Sequence, residues 1–196
     1  MDIKSLQEKL NTESEWRKRE LHQAYALFEN SDSEAKNYLA RVWVLVMYAH
    51  CDNFLKESAN LCLSYAKEND LNGYKPELLW LIRNAKVMDS SKYRTPSNYA
   101  EDREDIFVAN FSSLKDKSFQ YNFLRFVFDW VLQLDYAHDE MQNFCNELKK
   151  KRDAIAHGEL QYPEEVDCLR WHKATIEFID TFADCIINRA RDSLFA

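Results

Sequence analysis

The chain has 196 residues, 46% of them apolar and 14% aromatic, which is enough to bury one core without metals or disulfides and excludes a disordered chain. Its net charge of −7 excludes broad nonspecific binding to duplex nucleic acid, which needs a basic face. It has two glycines and three prolines, where average usage gives roughly 14 and 10, so turn residues are too scarce for a strand-rich fold and a few long helices are expected.

The first predicted helix runs from about Ile3 to Asn30, on the recurrence of Leu6, Leu10, Leu21, Tyr25 and Phe28 at helical spacing. Ser31 and Asp32 interrupt it and offer an N-cap to the next. The second helix extends from about Ser33 to Glu68, with Tyr38, Leu39, Val42, Trp43, Val46, Met47, Phe54, Leu55, Cys62 and Leu63 as a wide apolar stripe. Between Val42 and Ala49 it is apolar on nearly every side, which marks it as the central helix. Gly73 belongs to a turn, and Pro76 opens a short apolar helix. Asp89 to Asp105 is polar, aperiodic and reads as a loop, and Ile106 to Ser118 is ambiguous. Helices are expected from Phe119 to Leu134, from Ala137 to Ala156, and from the Tyr162-Pro163-Glu164-Glu165 start onward. Phe123, Leu124, Val127, Phe128, Val131 and Leu132 face the core in the first of these. Met141, Phe144, Cys145, Leu148 and Ile155 do so in the second, and Leu169, Ile176, Ile179, Phe182, Cys185 and Ile186 in the last.

The five cysteines show no metal-ligand spacing, and an odd count fits no closed disulfide set. The amphipathic, charged start MDIKSLQEKL is unlike a signal peptide, and the apolar run at 42–49 is too short to span a bilayer. These features together lead us to expect a reducing cytoplasm and no membrane partner.

Chemistry concentrates in Lys149-Lys150-Lys151-Arg152-Asp153-Ala154-Ile155-Ala156-His157-Gly158-Glu159. Four consecutive cations interrupt an acidic chain, and a histidine follows at the end of the same helix. Arg152 and His157 lie about 7.5 Å apart along a helix axis and about 140° around it, whereas Asp153 and His157 share a face. Asp153 is therefore expected to accept the proton of one ring nitrogen and fix the tautomer of His157. The same residues also describe an ordinary helix end, where histidine and lysine favour the negative end of the dipole and glycine stops the helix. A second unusual spot is Tyr48-Ala49-His50-Cys51-Asp52-Asn53-Phe54-Leu55-Lys56, which puts polar groups into the apolar helix. Asp52 and Lys56 can pair at i,i+4, either on a solvated face or as part of a buried set in which Arg152 partners Asp52. Tyr162 is open to base stacking or to plain packing.

Arg152, Asp153 and His157 resemble the signature of the HEPN superfamily, in which an arginine and a polar residue precede a histidine by a short spacer. The surrounding segment is most similar to a prokaryotic branch reading Arg-Asn-x-Ile-Ala-His-Gly. That branch also carries Tyr-Ala-His-x-[Asp/Glu]-x-x-x-Lys on a long early helix, matched here by Tyr48, Ala49, His50, Asp52 and Lys56. The resemblance covers residues 35–190 as a core bundle, with 1–30 as a helical extension of a single domain. It departs at Asp153, where the branch usually has Asn. It implies an all-α HEPN-like bundle of four to six helices with a long central one. It also implies a homodimer that brings two Arg–His motifs into one cleft, and metal-independent endoribonuclease activity without a cofactor, commonly in toxin–antitoxin, abortive-infection or phage-defence systems. Arg152 and His157, with Asp153, would be catalytic, and Asp52, Lys56 and Tyr48 would support them. Lys149, Lys150, Lys151 and Tyr162 would contact RNA, and an antitoxin or defence protein is a further possible partner. Two other readings remain: a noncatalytic HEPN module binding RNA, a nucleotide or a protein, and a structural helical adaptor.

Overall fold

A computed structural model describes residues 1–69, 118–132, 134 and 139–192. The short helix expected at Pro76, the loop at 89–105 and most of the 106–118 segment lie outside these residues. Among the described residues every regular element is helical: α1 (Ile3–Glu29), α2 (Ser33–Asn69), α3 (Tyr121–Phe126) continuing into a π-helical turn (Val127–Leu132), α4 (Asp139–Ala156) and α5 (Glu165–Asp192). This is the all-α bundle the sequence leads one to expect.

Each boundary has a local cause. Asp2 caps α1 by accepting the Ser5 amide at 2.7 Å. Asn30 ends it by donating its amide to the Ala26 carbonyl, and Asp32 then accepts the Ala35 amide at 2.8 Å as the N-cap of α2. The tight turn folds α1 back antiparallel along α2, so the amino terminus reaches the Glu68 carboxylate and Asn69 bonds the Met1 carbonyl. α5 runs antiparallel to α1, with Lys18 paired to Asp180 at 2.6 Å and His22 against His172. It runs parallel to α2, with Lys36 near Glu165 at one end and Phe54 on Phe182 further along.

At 37 residues α2 is roughly 55 Å long and serves as the common wall of the bundle. Its most enclosed stretch, from Trp43 to Ala66, lies further along than the 42–49 run alone suggests. Phe119, Phe144, Phe178, Phe182, Phe128 and Phe54 form a chain of edge, tilted and stacked ring contacts across it. Each such ring contributes roughly 1.5–3 kcal/mol by burial. In the segment after Tyr121 the core residues recur in pairs, at 123/124, 127/128 and 131/132, and all six are buried. A repeat of four drifts by about 40° per step around an α-helix, and a wider turn reverses that drift. The change from α to π at Val127 keeps all three pairs on the core.

Two expectations about facing are corrected. Tyr38 and Leu169, placed on apolar stripes by spacing, are exposed: each faces away from the bundle, while its chain neighbour, Leu39 or Cys168, packs on the core. Conversely, the gap between Leu10 and Leu21 on α1 is filled by Ser14 and Arg17, both buried. Arg17 pairs with Glu13, bonds its carbonyl, and lies over Trp16 at 4.3 Å and Phe54 at 5.5 Å.

Tyr25, Phe28, Trp43, His22 and His172 make a second aromatic cluster where α1, α2 and α5 meet. Burial, and secondarily the charge of His22, lowers the His172 pKa to about 4. The folded protein therefore takes up this proton less readily than the unfolded chain. The stability that neutral His172 contributes is full above pH ~6.5 and is lost as pH falls toward 4. We expect melting temperature to fall between pH 7 and 4.5, and less steeply in His172→Phe; thermal melts across that range check it, and equal slopes would reject it.

Candidate functional site

The site forms where α4 crosses the middle of α2. Tyr48 and Asp52 lie one turn apart on α2 and hold both backbone polar groups of Phe119, the residue leading into α3. The Tyr48 hydroxyl donates to the Phe119 carbonyl at 3.1 Å, and Asp52 Oδ1 accepts the Phe119 amide at 2.6 Å. Asp52 Oδ2 takes the Lys56 ammonium at 2.7 Å, one turn further on. The Tyr48 pKa is raised, chiefly by burial and with a smaller contribution from Asp52, so its hydroxyl stays a proton donor. The Tyr48 ring then forms a floor for Arg152, whose guanidinium carbon sits 3.9 Å from the ring centroid.

Arg152 thus occupies a fixed place at the foot of α4, with its Nη1 2.8 Å from Asp153 Oδ1. Asp153 Oδ2 takes Lys149 Nζ at 2.6 Å. Two sequence expectations are corrected here. Asp52 pairs with Lys56 and not with Arg152, and the pair is largely enclosed, not on a solvated face. Asp153 turns its carboxylate to Lys149 and Arg152, not to His157. Lys149, four residues before Asp153, stands at helical spacing too and lies within the helix, whereas His157 lies past its end.

His157 is presented to solvent by the helix stop. Gly158, at φ 80°, bonds back to the Ile155 carbonyl at 3.1 Å, and Glu159 to the Ala154 carbonyl at 3.0 Å. This is a Schellman cap with His157 at the C-cap and Gly158 in the left-handed conformation that a side chain would strain. Of the flanking lysines, Lys150 is exposed, while Lys151 donates to Gln161 Oε1 at 3.0 Å, and Gln161 in turn bonds Glu159. Tyr162 is exposed. The structure therefore joins Tyr48, Asp52, Lys56, Lys149, Arg152 and Asp153 into one connected set and leaves His157, Lys150 and Tyr162 on the adjoining rim. Phe119 is the participant that sequence reasoning missed; its polar contribution is made by backbone groups, 67 residues from Asp52 in the chain.

A family model described as HEPN_MAE_28990-like HEPN matches residues 6–195. The chain belongs to this HEPN family. The match includes α1 as well as the segment that carries the site. Comparison with curated proteins and with solved structures finds no significant match. The HEPN superfamily includes many ribonucleases.

Other chemistries have less support. Burial pushes the Cys145 and Cys168 thiols up to about 12, and the Cys51 and Cys185 thiols up as well, so none supplies a ready thiolate at neutral pH. Among the described residues no group of three His, Cys, Asp or Glu side chains gathers to hold a metal, and no helix is long and apolar enough to cross a membrane.

The Asp52 carboxylate faces a Lys56 side chain that is only 9% exposed. We expect Asp52→Ala to cost about 2–3 kcal/mol of unfolding free energy, from the lost ion pair and the lost Phe119 bond. Asp52→Asn, which keeps one acceptor, should cost less. Urea unfolding measures both, and a loss below about 0.5 kcal/mol for the alanine variant would contradict the clamp.

Proposed function

We propose that this HEPN protein is a metal-independent endoribonuclease, acting as a homodimer and serving as a toxin or phage-defence effector. The observation that carries the proposal is the pairing of a guanidinium fixed on the Tyr48 ring with an accessible histidine at the C-cap of the same helix. Arginine binds a phosphodiester through paired N–H groups and stabilises the charge that grows on it during displacement. Histidine transfers protons near neutral pH.

RNA brings its own nucleophile. One His157 removes the proton of the 2′-hydroxyl, whose oxygen attacks phosphorus. The bond from phosphorus to the 5′-oxygen breaks, and that oxygen takes a proton from His157 of the partner subunit. The products are a 2′,3′-cyclic phosphate and a 5′-hydroxyl. Among the described residues one chain supplies a single histidine at this rim, so the two proton transfers call for two copies. Support for pairing comes from Leu160, Tyr162, Val166 and Leu169, which follow His157 directly and expose apolar surface, Leu160 at 77%.

Purified wild type should cleave single-stranded RNA in chelator, leaving cyclic phosphate ends and running as a dimer in analytical ultracentrifugation. His157→Ala should reduce the rate by about 10²–10⁴-fold and Arg152→Ala by about 10²–10³-fold, with melting temperatures close to wild type. RNA bound by Arg152 but never cut would favour a binding module instead.

A further inference from the structure

Four cations in a row, Lys149 to Arg152, suggest a strong anion site, yet the structure spends two of them on one carboxylate. Asp153 Oδ2 lies 2.6 Å from Lys149 Nζ, and Asp153 Oδ1 lies 2.8 Å from Arg152 Nη1. A carboxylate whose two oxygens bridge an ammonium and a guanidinium has the charge and the reach of two nonbridging oxygens of a phosphodiester. All three side chains are about one-third exposed, at 30–32%, so the arrangement can open to solvent without disturbing the core.

We propose that Asp153 is an internal stand-in for the substrate phosphate. It holds Lys149 and Arg152 poised and must be displaced before RNA takes them. This inference rests on the ribonuclease reading above and adds a selectivity to it. Arg152 keeps its place when the carboxylate swings away, because the Tyr48 ring holds the guanidinium from below. A single phosphate merely exchanges one anion for another at this pair and gains little. A polynucleotide displaces Asp153 and also sets neighbouring phosphates against exposed Lys150. The site therefore favours a chain of phosphates over a free nucleotide.

The test is the affinity of the full chain for a 2′-O-methyl RNA oligonucleotide, which lacks the nucleophile, measured as a function of salt. Asp153→Asn and Asp153→Ser remove the charge, Asp153→Glu retains it, and Arg152→Ala is the control. We expect Asp153→Asn and Asp153→Ser to bind about three- to tenfold tighter at low salt. The slope of log affinity against log salt should steepen by about one phosphate contact as Lys149 is released. Asp153→Glu should stay near wild type, and a 5′-mononucleotide should gain affinity in the neutral variants. Unchanged or weaker binding with an unchanged slope in both neutral variants, while Arg152→Ala loses RNA, overturns the inference and leaves the ribonuclease reading standing. Equal binding by wild type and Arg152→Ala overturns both.

Discussion

The candidate site depends on one turn of α2 gripping a stretch of backbone by both of its polar groups. Tyr48 and Asp52 satisfy the carbonyl and amide of Phe119, groups that would be costly to bury unpaired, and so fix where α3 begins. The same grip sets the plane of the Tyr48 ring, also packed edge-on against Phe119, and that ring sets the place of Arg152. A polar pair inside an apolar helix is thus explained by what it positions, with Lys56 balancing the carboxylate from the next turn.

From this floor the electrostatics follow in order along α4. The guanidinium lies over an aromatic face, and its Nη1 is held by Asp153 at 2.8 Å. The helix ends five residues later in a glycine-dependent cap that leaves His157 outside the core. Rigidity at the arginine and openness at the histidine suit a reaction that binds a phosphate at one residue and moves protons at the other. The acidic remainder of the chain limits nonspecific attraction of nucleic acid, which leaves selectivity to this local set.

Much of the fold is legible in the sequence because helical periodicity records burial directly. α1 and α2 begin and end within a residue of where capping residues and apolar spacing put them, and α5 opens at the expected Tyr162–Glu165 start. The 149–159 segment and the polar spot at 48–56 stand out from the residues themselves, their catalytic and supporting roles came from resemblance, and the contact between Tyr48 and Arg152 joins segments far apart in the chain. Three things were not legible. Arg17 looks like a surface residue until Trp16, Glu13 and Phe54 enclose it. The orientation of Asp153 went to Lys149, a second i,i+4 partner that the sequence reading did not set against His157. Exposure of Tyr38 and Leu169 follows from which side of each helix its neighbours cover, which no local pattern reports.

The central claim is that a phosphodiester sits across Arg152 and His157. Its most direct measurement is an NMR titration of the imidazole signals with a 2′-O-methyl RNA oligonucleotide, assigned through His157→Ala. The account requires the His157 signal to shift in step with RNA binding, that response to vanish in Arg152→Ala, and the signals of buried His50 and half-buried His172 to stay still. RNA that binds while His157 remains unperturbed would contradict it.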